Sequence, residues 1–276
     1  MWRSASRWLS TASAERRRQA WHAVLGLCAG SILLAEPASA QLLVDPLQVV
    51  IVSPHPGRFV SSVSVSNTSD QPVQTSISRG DWDRAENGDN RFFPSGSTPH
   101  SCGAKLAVSP ASLRLEPHSS RVVRLSVTAD SALTSECWDI VFIEEIPQHT
   151  TSVKKSSLEF TFRTGVKVYL LPPDLRQSAA VENMVVVDSP KRAIAIQFHN
   201  TGAIHLFAKG RLEFRRLDNS VLKQVEIKEF PTLPGATRRV VIEVPGDLAP
   251  GDYIALAMID FGGAELVAGQ IDFEAK

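Results

Sequence analysis

The 276-residue sequence lacks most of what marks an enzyme, a membrane span or a nucleic-acid binder. It has no Gly-x-Ser-x-Gly elbow, no phosphate-binding loop and no zinc-protease helix motif, so no known catalytic motif is present. Basic and acidic residues balance at 29 each without a concentrated basic footprint, which argues against a nucleic-acid or anionic-membrane partner. The histidines beyond residue 40, at 55, 100, 118, 149, 199 and 205, stand singly, without the close ligand spacing of a metal site. No stretch sustains a 3.6-residue apolar period, so amphipathic helices are not expected. No cofactor is expected either.

The one long apolar run, Ala20 to Ala35, follows the basic cluster Arg16, Arg17, Arg18 and precedes the small residues Ala38-Ser39-Ala40. This is the plan of a secretory signal peptide over 1–40, cleaved after Ala40. A transmembrane anchor needs roughly twenty apolar residues, and this run is shorter and holds His22, Gly26 and Gly30. Leu27 before Cys28 is too large for a lipoprotein signal, and the arginines lack the apolar sequel of a twin-arginine signal. Removing 1–40 leaves 24 basic and 27 acidic residues, a net charge of about −3, on 236 residues, a length that suits two domains. Only Cys102 and Cys137 remain, and two cysteines in an exported chain read as one disulfide.

The rest of the chain reads as short β-branched runs separated by turn residues. Leu47–Val52, Val60–Val65, Val73–Ile77, Val122–Val127 and Ile140–Ile143 have strand character. Ser53-Pro54-His55-Pro56-Gly57, Asn67-Thr68-Ser69-Asp70 and Glu86-Asn87-Gly88-Asp89-Asn90 lie between them as turns. After Pro172-Pro173 the pattern resumes with Met184–Val187, Ala193–Phe198, Ala208–Phe214, Gln224–Ile227, Arg239–Val244, Tyr253–Asp260 and Ala264–Phe273. Many short strands at this spacing predict an all-β protein of two immunoglobulin-like sandwiches, 41–172 and 173–276. The Pro-Pro pair, which cannot donate backbone hydrogen bonds, sets the boundary.

Within this pattern, Leu158, Phe160, Phe162, Val166 and Val168 fall on one face of an extended run. Glu159, Thr161, Arg163 and Lys167 fall on the other, wet face. The polar segment Gln148–Ser156 before it reads as an exposed hairpin loop. Trp82 and Trp138 are expected in the core of the first sandwich. Asp81 and Asp83 flank Trp82 and could line a cation site, although a solvated loop entrance is the simpler reading. Adjacent residues Glu144 and Glu145 face opposite ways on a strand and make no catalytic pair.

Several segments together resemble the periplasmic pilus chaperones, the PapD-like family. Val63 to Pro72 resembles the family's second strand and following turn, with Asp81-Trp82 as its continuation. Leu106 to Pro110, then Leu113 to Pro117, resembles its P-x-x-x-R-L-x-P segment. Trp138 to Pro147 is similar to the strand that ends in an apolar-Pro step, and Val166 to Pro172 to the strand leading into the second domain. Ile259-Asp260-Phe261-Gly262-Gly263 is similar to its N-D-Y-G-G turn.

The resemblance implies a boomerang of two immunoglobulin-like domains that caps pilin-type subunits by lending a strand, then delivers them to an outer-membrane usher. Leu158, Phe160 and Phe162 match the lent residues, and Lys167, five positions later, matches the lysine that holds the subunit's terminal carboxylate. Where the family has a second cation, an arginine in the first strand, this sequence has Gln48, which is neutral. Arg58 is a candidate substitute. The exposed edge would be protected by self-capping between two copies. The alternatives are a structural or adhesive surface protein with strand 158–170 wholly internal, and a metal-trafficking protein on a sandwich scaffold.

Overall fold

In a computed structural model of the chain, residues 42–53, 55–129, 133–147, 161–173, 177–188 and 190–275 are described. The expected leader 1–40, the expected loop 148–156 and two of the expected lent residues, Leu158 and Phe160, lie outside them.

The described residues form strands joined by turns, with one 3-10 helical turn. β1 (Leu42–Asp45), β2 (Gln48–Val52), β3 (Gly57–Asn67), β4 (Val73–Arg84) and β5 (Asn90–Pro94) come first. A 3-10 turn at Gly103–Lys105 leads to β6 (Leu106–Ser109), β7 (Ser112–Leu115), β8 (Ser120–Ala129), β9 (Cys137–Glu145) and β10 (Arg163–Leu171). One sheet has the order β1-β3-β8-β6, and the other β2-β10-β9-β4-β5 with β7 on β4. Strand alternation sends Val123, Leu125 and Val127 of β8 inward against Val141, Ile143, Val166, Val168 and Leu170 of the facing sheet. The predicted turn at Asn67 is held by its own side chain. Its Nδ2 donates to the carbonyls of Gln71, Leu115 and Glu116, and Oδ1 accepts from the Ser69 N–H.

The second sandwich packs β11 (Ala179–Val187), β12 (Ala193–Asn200) and β15 (Thr237–Glu243) on β13 (Leu206–Arg215), β14 (Val221–Thr232), β16 (Gly251–Asp260) and β17 (Val267–Ala275). Its core is Ile194, Ile196 and Phe198 against Leu212, Phe214, Ala255, Ala257 and Ile259. Asn200 repeats the role of Asn67, donating to the carbonyls of Ile204 and Thr232 and accepting from the Gly202 N–H.

Three expectations change. Trp82 and Trp138 are buried, but outside the interior of the first sandwich. With Ile140, Phe142 and Tyr169 they form a separate cluster on the outer face of the β2-β10-β9-β4-β5 sheet, and Leu233 and Ala236 of the second sandwich pack on it. β9 is therefore covered on both faces, Cys137, Val141 and Ile143 facing the sandwich core. Asp81 is not at a solvated entrance. It is fully buried and accepts from the backbone N–H groups of Gly96 and Thr98 and the hydroxyls of Thr98 and Ser101. Lastly, the face of β10 carrying Lys167 and Tyr169 is not wet, because it is the face that this aromatic cluster covers.

Candidate functional site

β10 has unequal neighbours. On one side it pairs antiparallel with β9 along its length, from Arg163 opposite Glu144 to Leu170 opposite Cys137. On the other it pairs in parallel with β2, but only from Lys167 opposite Gln48 to Leu171 opposite Val52. That pairing starts where the Lys167 N–H donates to the Leu47 carbonyl (3.0 Å) and ends where Ser53 N–H donates to Leu171 (2.8 Å). Among the described residues, Arg163 to Val166 thus has an open backbone edge that stops at Lys167. Phe162 precedes it. Its carbonyl accepts from the Glu145 N–H, and the residue is 42% exposed. Val166, Val168 and Leu170 point into the sandwich core.

The opposite face of β10 forms a basic cleft. Lys167 Nζ lies 4.5 Å from the centroid of the Trp82 ring, and the Arg84 guanidinium carbon lies 5.6 Å from the same ring. Burial lowers the Lys167 pKa, and the neighbouring Arg84 charge lowers it further. Burial also lowers that of Arg84. Neither cation has an ion pair among the described residues. Burial and the charge of Glu136 push the Tyr169 phenol well above its usual range. Gln48 stands opposite Lys167 in register but is itself exposed. Arg58, the expected substitute, sits on β3 in the other sheet, exposed and opposite Thr128.

The two sandwiches meet beside this cleft. Buried Glu136 accepts from His205 through both the backbone N–H (2.6 Å) and the ring Nδ1 (2.7 Å), and the imidazole stacks on Tyr169 with centroids 4.3 Å apart. The Glu86 carbonyl accepts from the Arg239 N–H and from Arg238 Nη1. A cavity of about 380 Å³ lies between them, lined in part by Arg84, His100, Trp138 and Leu233.

Cys102 and Cys137 are disulfide-bonded, joining the loop after β5 to the start of β9. Next to the bridge, Asp139 accepts from the Cys102 N–H. Burial nevertheless raises its pKa, helped by the Asp81 charge. Asp81 and Asp83 share no cation site. Asp81 is satisfied by its own chain, and Asp83 is held bidentate by Arg91, with two contacts of 2.7 Å. No three potential metal ligands converge among the described residues. Glu144 and Glu145 part as expected. Glu144 pairs with Arg163 at 3.5 Å, while burial raises the Glu145 pKa.

Sequence reasoning missed Arg84, Tyr169 and the role of Trp82 in the cleft. The only sequence signal was the i, i+2 spacing of Trp82 and Arg84, which puts both on one strand face.

The chain thus presents an open strand edge beside a basic cleft on paired β-sandwiches. Residues 47–176 match the family described as pili and flagellar-assembly chaperone, PapD N-terminal domain. This stretch is therefore similar to the N-terminal domain of PapD-like proteins, a family of chaperones rather than enzymes. A class 5 fimbriae chaperone, CfaA, superposes with a TM-score of 0.51 over 83% of this chain and 98% of that one, at 13% identity. A chain of a chaperone–tip adhesin complex from CFA/I fimbriae biogenesis gives 0.52 over 84% and 98%, at 12% identity. At such identities the likeness is one of fold. No curated protein sequence matched the chain.

Proposed function

We propose that this protein is a periplasmic chaperone that lends a strand to pilin-type subunits and passes them to an outer-membrane usher. The observation that carries the reading is the open edge Arg163–Val166, which ends on a half-buried lysine without an acidic partner among the described residues. A subunit lacking a strand would pair its backbone along this edge, with Phe162, Phe160 and Leu158 filling its groove. Lys167 would hold the subunit's terminal carboxylate beside Gln48. Pilus chaperones of this family are periplasmic. A leader over 1–40, cleaved after Ala40, would deliver this one there, and the working chain would divide into domains 41–172 and 173–276.

Replacing Phe160 and Phe162 by Asp tests this. The double variant should melt like wild type yet recover no subunit in co-purification. If the phenylalanines were core residues of a structural surface protein, two buried charges would unfold it instead. Undiminished subunit recovery would refute strand lending.

A further inference from the structure

We propose that Arg84 and Lys167, which both lie against the Trp82 indole, form one carboxylate seat in which Arg84 supplies the positive charge that Gln48 lacks. The inference rests on the reading above that a subunit chain ends at Lys167, and it names the second residue that holds that end.

Alternation along β4 puts Trp82 and Arg84 on the outer face of the sheet, the face of β10 that carries Lys167. Both cations contact the same indole. Arg84 is held in place because its Nη1 donates to the Gly88 carbonyl at 2.9 Å. Gly88 has φ +98°, and a β-carbon there would strike the Arg238 guanidinium, so the turn brings Arg238 of the second sandwich up behind Arg84. Three donors at this place are buried without an acceptor among the described residues: Trp82 Nε1, Arg84 Nε and Arg238 Nε. Buried donors are rarely left unpaired, since each costs the full desolvation of its group. Nearby acids are committed elsewhere, Asp83 to Arg91 and Glu136 to His205. Orphaned donors and two unneutralised cations around one ring call for an anion. Arginine suits a carboxylate because its planar fork can bind both oxygens. Gln48 reaches Lys167 only through the pairing of their strands and adds no charge.

The test titrates N-acetyl-leucine, a minimal chain terminus, and its amide into the mature protein, following the Arg84 Nε–H and Trp82 indole N–H signals by NMR. The acid should shift both signals and the amide neither. Arg84→Gln should weaken acid binding about tenfold, Gln48→Ala less than twofold, and the distant Arg121→Gln not at all, with Lys167→Met abolishing it. Arg84→Lys, which keeps the charge, should recover most of the affinity and guards against a folding defect in Arg84→Gln. If Arg84→Gln binds like wild type while Lys167→Met does not, the inference fails and the Lys167 anchor stands. If the amide binds like the acid, or Lys167→Met has no effect, the seat and the anchor fall together.

Discussion

Lys167→Met should make the protein more stable and less functional. The lysine is half-buried, its charge is repelled by Arg84, and no acid neutralises it among the described residues. Lys167 Nζ and the Arg84 guanidinium carbon lie 4.5 and 5.6 Å from the Trp82 ring centroid, hence no more than about 10 Å apart. Two unit charges at about 10 Å and an effective dielectric of about 20 repel by about 1.7 kcal/mol, and solvent and salt reduce this to about 1 kcal/mol. Partial desolvation adds to the penalty, while the cation–π contact with Trp82 returns about 0.5–1 kcal/mol. Methionine keeps most of the methylene stem on the ring. The net gain should be about 0.5–1.5 kcal/mol, which for a chain of this size raises Tm by about 1–4 °C. The pH dependence has a defined sign. The folded-state pKa lies below the ordinary lysine value of about 10.4, so between the two the unfolded chain holds more protons, and wild-type stability rises with pH across that window. The advantage of Lys167→Met is therefore full below the window and vanishes above it. Subunit capture should fall by more than about thirtyfold, as expected for truncating one partner of a buried charge pair. Thermal melts from pH 7 to 11, with co-purification alongside, read both effects. A Tm lowered by several degrees at pH 7 with undiminished capture would make the lysine structural and refute the reasoning.

Other parts of the structure make their own predictions. Asp81→Asn should cost about 2–4 kcal/mol in urea unfolding, because an amide must present a donor to groups that already donate to the carboxylate. Although burial opposes it, hydrogen bonds led by the Thr98 N–H hold the Asp81 pKa low, so its contribution is present above the usual carboxylate pKa and is lost as acid drives pH through the lower folded value. Reducing Cys102–Cys137, 35 residues apart, should lower stability by about 3–4 kcal/mol, read as a drop in the urea midpoint with reductant. His205→Ala should cost about 1–3 kcal/mol, because it removes the imidazole from Glu136, a carboxylate that stays buried. An unchanged melting curve for His205→Ala would count against this contact as a link between the sandwiches.

The strands were legible because most are covered on one face only. Val123, Leu125 and Val127 alternate with polar residues on β8, and Ala208, Leu212 and Phe214 on β13 are likewise separated by Lys209, Arg211 and Glu213. The exposed β5 and the short β1 carry too few inward apolar residues to show this pattern. β9 hid its second buried face for the opposite reason. Trp138-Asp139-Ile140-Val141-Phe142-Ile143 is a nearly continuous apolar run, consistent with one deep core or with two covers, and only the fold reveals Leu233 as the second cover. Lys167 could be singled out through the family resemblance, by its place five residues after Phe162, but Arg84 could not. Asp83-Arg84-Ala85-Glu86 reads as the approach to a turn, and nothing local ties it to a lysine on a distant strand. Gln48 lies opposite Lys167 in register but is exposed and neutral, and Arg58 stands in the other sheet.

The extent of β2 bears on how a subunit would be held. β2 occupies the edge of β10 from Lys167 onward, so a strand added along Arg163–Val166 has to end there. An added strand running antiparallel to β10 would bring its amino terminus, a cation, up to Lys167 and Arg84. A strand running parallel to β10 would bring its carboxylate to the same place. Repulsion in a half-buried site disfavours the first and attraction favours the second. On the proposed reading the lent strand and the seat would form one device, in which β2 sets where the subunit strand stops and the charge of the cleft sets which end stops there. Phe162 and Lys167 are an odd number of residues apart and fall on opposite sheet faces, so the proposed groove-filling residues and seat would not compete for space. Lengthening β2 at its amino-terminal end would cover the edge while leaving Lys167 and Arg84 in place. Such a variant should still bind N-acetyl-leucine but capture no subunit, and recovery of subunit with the edge covered would mean that strand lending is not how this protein holds its client.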